Sequence, residues 1–179
     1  MLIIHGGSGC GKSKLIKDIS IFVEHILTTN DNRDANKPFV VRCAPTGSAA
    51  KIIDGHTLHS AFQFNFGNDH MPMGEKSREK YKDLLENLVV LIVDEMSMVK
   101  SDMLYQLHMR LREIKQNNEV EFGGVCVLLF GDLMQLQPVK GAWIFEPPKS
   151  KKLKLVHTVH SLWHQFEPYI LTENHRPSK

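Results

Sequence analysis

The sequence is poor in cysteine. Only three of its 179 residues are cysteines, namely Cys10, Cys43 and Cys126. The number is odd, and no two of them have the CxxC spacing, which excludes a disulfide framework and a zinc ribbon. A reducing, intracellular compartment is therefore expected.

Long hydrophobic runs are also missing. The longest apolar run, Leu88–Val93, is far shorter than the ~20 residues that a membrane span needs. The apolar start, Met1–Ile4, is interrupted by Gly6 before the core of a signal peptide could form. The shortness of both apolar segments predicts that the chain does not have a membrane as a partner.

The chain lacks an excess of charge of either sign. Lysine and arginine number 22 against 20 aspartates and glutamates, which gives a net charge of +2. Bulk charge therefore neither indicates nor excludes a nucleic acid as partner. The hydrophobic fraction of 42% is ordinary for a globular protein, and the length suits one domain that needs no disulfide or metal for its core.

Short apolar runs rich in β-branched residues alternate with helical patterns along the chain. The runs are Leu2–His5, Phe39–Cys43, Leu88–Val93 and Val125–Phe130, with Tyr169–Thr172 as a possible further strand. Continuous apolar runs are typical of strands that are covered on both faces. The alternation predicts an α/β fold with a mostly parallel sheet and helices on both of its faces.

A glycine-rich segment between the first strand and the first helix matches GxxxxGK[ST] in full: Gly6, Gly7, Ser8, Gly9, Cys10, Gly11, Lys12 and Ser13. In this context the backbone N–H groups of the loop surround phosphate oxygens, and the helix N-terminus adds partial positive charge. Lys12 is expected to reach the β- and γ-phosphates, and Ser13 to hold Mg²⁺. A glycine-rich turn that only caps a helix is the alternative.

Two carboxylates follow the third strand directly. Asp94 stands where P-loop proteins complete the Mg²⁺ site, and Glu95 beside it could orient and deprotonate water. A kinase does not need the second carboxylate, because its nucleophile is the substrate hydroxyl. The pair therefore favours hydrolysis of a nucleoside triphosphate over phosphoryl transfer between metabolites.

A polar cluster, Gly131–Leu136, follows the fourth strand. In a parallel sheet this cluster lies at the same edge as the phosphates. Gln135 could hydrogen-bond a γ-phosphate and a group beyond it. From the spacing alone, a plain turn is an equally good interpretation.

Five segments resemble, in this order, the motifs of superfamily 1 helicases: Gly6–Ser13, Ala44–Phe62, Leu91–Val99, Phe122–Val139 and Leu171–Pro177. The sequences of these segments are most similar to those of the PIF-type DNA helicases, which are relatives of RecD. The resemblance implies a RecA-like P-loop NTPase fold and 5′-to-3′ DNA helicase activity, with ATP and Mg²⁺ as cofactors and single-stranded DNA as partner. It also implies work in DNA repair, recombination or telomere maintenance.

The resemblance implies roles for individual residues. It makes Asp94 the metal carboxylate, beside Ser13, and Glu95 the activator of water. Gln135 is similar to the glutamine that couples the γ-phosphate to DNA, and Arg176 to an arginine that touches the γ-phosphate.

The same resemblance implies contacts with single-stranded DNA. The residues concerned are Thr46, Gly47, His56, Thr57 and His59, with Phe62 as an aromatic that could stack a base. Hydroxyl groups and small residues let backbone N–H groups meet DNA phosphates. Core packing of a short helix remains the alternative for His56, His59 and Phe62.

We expect residues 1–179 to form a single RecA-like motor domain, the first of two, with the second domain as its partner. Residues 63–78 lie where the family inserts a strand-separating element. The resemblance implies a nuclear or mitochondrial location in a eukaryote and a cytoplasmic one otherwise.

Two other functions stay open at this stage. One is a P-loop nucleotide or small-molecule kinase, which single-stranded DNA would not stimulate. The other is a non-enzymatic, truncated DNA-binding module with a vestigial nucleotide site. The basic run Lys149–Lys154 offers a second place for DNA phosphates, although a solvated loop explains it as well.

Overall fold

The computed structural model of the chain describes residues 1–30, 34, 36–64, 70–135, 138, 141–146 and 162–174. The strands are β1 Leu2–Gly6, β2 Val40–Ala44, β3 His56–Thr57, β4 Val90–Val93, β5 Cys126–Gly131 and β6 Glu167–Leu171. The helices are α1 Lys12–Asn30, α2 Gly47–Ile52, α3 Leu58–Phe62, α4 Glu75–Leu84 and α5 Ser101–Lys115. Two 3₁₀ turns, Met96–Met98 and Glu121–Gly124, complete the described elements.

The six strands form one sheet in the order β3-β2-β4-β5-β1-β6. Every strand pair in the described part of the chain is parallel. This confirms the predicted α/β fold, and the five expected strands lie within about two residues of their predicted bounds. The sequence did not predict β3, because two residues without an apolar run give no periodic signal.

Successive side chains of the central strands enter two different cores. In β4, Leu91 and Val93 join the core on one face of the sheet, and Ile92 joins the core on the other. In β5, Leu129 and Phe130 divide between the same two cores. Because both faces of these strands are covered, their residues form a continuous apolar run in the sequence. This is the pattern from which the strands were predicted.

One helix covers each face of the sheet centre. α1 buries Ile16 completely in the core on the side of Ile92. α5 buries Leu104, Leu107 and Leu111 in the core on the opposite side. The alternation of apolar runs with helical patterns predicted helices on both faces of the sheet, and this layered α/β arrangement is confirmed.

The segment 63–78 is part of a connection between α3 and β4. Residues 65–69 lie outside the described part, and the last residues of the segment, from Glu75 onward, already belong to α4. The sequence did not predict α4, since none of its residues is buried and no apolar stripe marks it.

Two side chains of α5 hold this connection against the body of the domain. Arg110 donates to the carbonyl oxygens of Gln63 (3.4 Å) and Met71 (3.0 Å), and Glu113 accepts from the N–H of Met73 (2.7 Å). Arg110 and Glu113 also pair with each other at 2.7 Å. Gln63, Met71 and Met73 of the connection are thus fixed to α5 by partly buried polar contacts.

No helix in the described ranges is both long and apolar enough to cross a membrane.

The topology of the sheet determines where the candidate functional residues can meet. Because the sheet is parallel, the segments that follow β1, β2, β4 and β5 all leave from one edge. These are the segments in which the sequence analysis placed its candidate residues.

Candidate nucleotide and nucleic-acid site

A cavity of about 380 Å³ opens at the carboxyl edge of the sheet. Its walls come from the loop after β1, from α2 and from the segments after β4 and β5. The lining residues are Ser8, Gly9, Gly11, Lys12, Ser13, Lys14, Ala49, Ile52, Asp94, Glu95 and Gln135. The structure therefore brings together Lys12, Ser13 and the two carboxylates, which lie some 80 positions apart in the sequence.

The phosphate loop is wrapped around the lysine side chain. Lys12 Nζ donates to the carbonyl oxygens of Gly6 (2.7 Å) and Gly7 (2.9 Å). Gly9 and Gly11 have φ angles of 91° and 79°, a region that side chains other than glycine's rarely adopt. These two glycines allow the loop to turn tightly ahead of α1, with the ammonium group fixed among its carbonyls.

Asp94 is buried at the floor of the cavity, with 6% of its surface exposed. Burial raises the pKa of its carboxyl group above the usual value, and the negative charge of Glu95 raises this pKa further. The hydrogen bond from the Glu95 N–H and the positive charge of Lys12 lower the pKa, but they do not cancel the effect of burial. One oxygen, Oδ1, accepts the N–H of Glu95 at 2.9 Å. Burying a charged carboxylate costs free energy, and a cation bound next to it offsets that cost.

The donor set fits Mg²⁺. Asp94 supplies a carboxylate oxygen, Ser13 supplies a hydroxyl, and both line the same cavity. Hard oxygen ligands of this kind, completed by substrate phosphates and water, are what Mg²⁺ prefers. In the described ranges, no cluster of three or more His, Cys, Asp or Glu side chains forms an all-protein metal site.

Glu95 has an unusual backbone conformation. Its φ of 55° and ψ of 46° place it in the left-handed region, directly before the 3₁₀ turn Met96–Met98. This conformation costs free energy for a residue with a side chain, and such residues concentrate at functional sites. Gly131 permits it, since a Cβ at that position would lie 2.9 Å from the Met96 nitrogen.

Gln135 is held by its own loop. Its amide nitrogen Nε2 donates to Asp132 Oδ2 at 3.1 Å, and Asp132 Oδ1 accepts the N–H of Met134 at 2.9 Å. His5 at the end of β1 accepts the Leu133 N–H on Nδ1, and its Nε2 lies 3.8 Å from Asp132 Oδ1. The loop after β5 is thereby connected to the strand that carries the phosphate loop.

The residues predicted to contact DNA lie next to each other at the ends of β2 and β3. The parallel pairing puts Cys43 opposite His56 and Ala44 opposite Thr57, so the loops that follow the two strands are neighbours. Gly47 and His56 are exposed, whereas Thr46, Thr57 and His59 are half-buried. Because of this pairing, two segments ten residues apart form one surface.

The two threonines also have a structural role. Thr46 accepts the Ala49 N–H at 3.3 Å and caps α2, and Thr57 accepts the Ser60 N–H at 3.2 Å and caps α3. An N-cap hydroxyl satisfies a helix N–H that would otherwise lack a partner. Their side chains therefore help to shape these loops.

The expectation that Phe62 stacks a base is wrong for this structure. Phe62 is 0% exposed and lies in the core with Leu58 and Phe64. Its ring stacks on that of Phe64 with centroids 6.1 Å apart. The alternative of core packing describes this residue, because the last turn of α3 faces inward.

Several expectations fall on residues that the structure does not describe. These are Arg176 and the basic run Lys149–Lys154. Conversely, sequence reasoning overlooked His5 and Asp132. Both are polar residues within two positions of the end of an apolar run, a signal that could have marked them.

Comparison with known proteins gives one family for the whole chain. Residues 1–179 match the PIF1-like helicase family. The ATP-dependent DNA helicase RRM3 of Saccharomyces cerevisiae is 34% identical over 137 residues, which is 75% of this chain and 18% of RRM3. The human ATP-dependent DNA helicase PIF1 is 34% identical over 149 residues, covering 80% of this chain and 20% of that protein.

Solved structures of Pif1 from Bacteroides sp. have the same fold. The unliganded structure is 28% identical and superposes with a TM-score of 0.68, over 99% of this chain and 38% of the other. The same helicase has been solved bound to single-stranded DNA, at 26% identity, and with ADP-AlF4, at 28%; both give a TM-score of 0.64 and cover 99% of this chain and 39% of theirs. The chain thus spans well under half the length of these relatives. On this evidence the chain belongs to the PIF1-like helicase family.

Proposed function

We propose that this chain is the ATP-hydrolysing, single-stranded DNA-binding motor domain of an ATP-dependent DNA helicase. The observation that carries the proposal is the cavity that unites Lys12, Ser13, Asp94, Glu95 and Gln135. These residues supply a cation, two oxygen ligands, a base and an amide around one space. Such a set matches what hydrolysis of a nucleoside triphosphate requires.

Lys12 and the loop amides bind the phosphates of ATP in this mechanism. Lys12 exchanges its bonds to the Gly6 and Gly7 carbonyls for phosphate oxygens, so its ammonium charge meets the charge that develops on the γ-phosphate. Ser13 and Asp94 hold Mg²⁺. When bound, the ion neutralises charge on the β- and γ-phosphates.

Glu95 orients the attacking water and accepts its proton. Its left-handed backbone directs the chain so that its side chain lines the phosphate cavity beside Asp94. A carboxylate that serves as general base must be within hydrogen-bond reach of the water it deprotonates. Gln135, restrained by Asp132, senses the γ-phosphate from the segment after β5.

The loops after β2 and β3 bind the backbone of single-stranded DNA through Thr46, Gly47, His56, Thr57 and His59. The exposure of Gly47 and His56 supports this assignment, as does the parallel pairing that makes the two loops neighbours. The relatives solved with single-stranded DNA and with ADP-AlF4 share the fold on which these loops lie.

The proposal includes a second RecA-like domain as partner. RRM3 is matched over only 18% of its length, which leaves ample chain in such helicases for another domain. Translocation needs two domains that close and open around ATP. Arg176 then stabilises the γ-phosphate, and residues 63–78 separate strands, with Gln63 and Met71 held against α5 by Arg110.

A steady-state ATPase assay with and without a single-stranded oligonucleotide tests the proposal, in the longest natural chain that carries this domain. Glu95→Gln keeps the shape of the side chain and removes the base, so hydrolysis is expected to fall by about 10²–10⁴-fold while ADP affinity stays unchanged. Glu119→Gln, an exposed position outside the cavity, is the matched control.

The outcomes separate the competing functions. Hydrolysis that single-stranded DNA stimulates and that Glu95→Gln abolishes supports the helicase motor. Phosphoryl transfer to a small acceptor without DNA stimulation would show a kinase. No ATP binding at all would show a non-enzymatic module.

A further inference from the structure

A second cavity, of about 430 Å³, lies between α4 and the C-terminal half of α5. We call it the α4–α5 cavity; its lining residues are His70, Pro72, Arg78, Met109, Arg112, Glu113, Gln116 and Asn118. α5 ends near the start of β4, where Lys115 Nζ donates to the Leu88 carbonyl at 3.2 Å. The α4–α5 cavity is therefore at the opposite edge of the sheet from the phosphate loop and belongs to a different site.

Arg78 of α4 lines this cavity. Its Nε is buried, and within the described part of the chain no carboxylate or carbonyl accepts a hydrogen bond from its side chain. A guanidinium cannot lose its charge in a protein. A charged donor group that has no acceptor among the described residues is available to an anion.

Arg112 supplies a second guanidinium. It donates to the Asn118 carbonyl, which fixes its position. Its Nε, like that of Arg78, is buried with no hydrogen-bond partner among the described residues. The guanidinium groups of Arg78 and Arg112, the second fixed by the Asn118 carbonyl, thus line one cavity.

Glu113 is the one carboxylate among the described lining residues, and it does not neutralise these arginines. Glu113 pairs with Arg110 at 2.7 Å, and it accepts the Met73 N–H at 2.7 Å. Arg110 itself does not line the cavity. The charge of Glu113 is therefore balanced from outside, and among the described lining residues the positive charges of Arg78 and Arg112 remain.

We propose that the α4–α5 cavity binds a phosphate group, held by the side chains of Arg78 and Arg112. Guanidinium groups match the oxygens of phosphate in charge and in hydrogen-bond geometry. The volume admits a phosphate with its hydration or with an attached sugar. The phosphate belongs either to the backbone of single-stranded DNA, an assignment that rests on the proposed function, or to a free phosphate ion.

The side-chain Nε–H signals of the arginines, observed by ¹H–¹⁵N NMR, test this proposal directly. The 179-residue chain is titrated with inorganic phosphate and, separately, with a decathymidine oligonucleotide. The Nε–H signals of Arg78 and Arg112 are expected to shift, because they report on the guanidinium groups that gain an acceptor. Backbone signals of Gly9–Lys12 report the phosphate loop in the same spectra.

Arg78→Gln is the informative variant, since this side chain makes no hydrogen bond within the described structure and its loss leaves the fold intact. It should weaken phosphate binding at the Arg112 signal by about tenfold. For the oligonucleotide it should also lower the salt slope by about 0.7, the value for one phosphate contact on a single strand. Lys76→Gln removes an equal charge from an exposed position of α4 and should change neither.

The results distinguish the two sources and the two sites. Shifts with the oligonucleotide at lower concentration than with phosphate identify DNA as the source, and shifts with phosphate alone identify the free ion. No shift of either arginine signal with either probe overturns the proposal. If the Gly9–Lys12 signals still respond in that case, the proposed ATP site stands while the second site fails.

Discussion

The amide of Gln135 donates to the carboxylate of Asp132 at 3.1 Å, three residues earlier in the same loop. The second oxygen of that carboxylate accepts the Met134 N–H at 2.9 Å. Asp132 is therefore bonded on both oxygens and restrains Gln135, an exposed side chain that lines the nucleotide cavity from the segment after β5.

Asp132→Ala is expected to lower DNA-stimulated ATP hydrolysis by about tenfold and to leave ADP affinity unchanged. The reason is that Gln135 loses its restraint, and misplacing a reacting group by about 1 Å costs up to about 10²-fold. ATPase rates and calorimetric ADP titrations measure the two effects. Asp132→Asn keeps an acceptor oxygen and should recover most of the rate; an equal loss in both variants would contradict a positioning role.

Lys12→Ala is expected to weaken binding of Mg²⁺-ADP by at least about tenfold. It removes the ammonium group that charge-assisted hydrogen bonds to phosphate require, and such bonds are each worth ~1.5–3 kcal/mol. Isothermal titration calorimetry measures the affinity. Lys17→Ala, whose lysine pairs with Asp54 at 3.3 Å on the surface of α1, serves as control and should bind normally. Unchanged affinity in Lys12→Ala would refute the assignment of the loop.

Gly47→Asp is expected to weaken single-stranded DNA binding several-fold. A Cβ at Gly47 meets no atom within 4 Å, so the new side chain fits, and a carboxylate in the first turn of α2 favours the helix. The added negative charge would repel DNA phosphates. Fluorescence anisotropy at two salt concentrations measures the loss.

Gly47→Ala is the matched control, since it adds the Cβ without the charge. Photo-crosslinking with thiothymidine oligonucleotides locates the contact independently, with adducts expected within Thr46–His59. Adducts confined to Lys149–Lys154 would show that the DNA site lies elsewhere.

Acid should destabilise the domain through His108. Burial, aided by the Arg112 charge and opposed by Glu121, lowers the pKa of His108 to about 4 from 6.5. Its Nδ1 accepts the Phe122 N–H at 3.1 Å, which requires the neutral ring. The unfolded chain binds a proton below pH 6.5 while the folded state does not, so stability is lost as the pH falls from 6.5 to 4.

The loss from His108 amounts to about 3 kcal/mol over that range, at ~1.4 kcal/mol per pKa unit. Urea unfolding at pH 7 and at pH 4.5 measures it. His108→Gln, which cannot titrate, should show a smaller difference between the two pH values. His25→Gln, at an exposed position of α1, should behave like the unsubstituted chain. Equal pH dependence in all three proteins would contradict the role of His108.

The sequence by itself determined the strands of the sheet centre and the phosphate loop. β4 and β5 are covered on both faces, so their residues are apolar without interruption and can be recognised without a partner strand. The loop Gly6–Ser13 is equally local, because its turn and its contact with phosphate depend on consecutive residues. Asp94 and Glu95 could be placed at the same edge, since parallel strands share one carboxyl end.

Only the tertiary structure decided which residues from different segments meet. Strand order is fixed by side-chain packing between distant runs, so the neighbourhood of β2 and β3 has no signature in either segment. The restraint of Gln135 by Asp132 and the approach of His5 depend on β1 lying next to β5. Phe62 was equally undecided: an aromatic in a short helix can face a ligand or the core, and only the packing of α3 against Phe64 turned it inward.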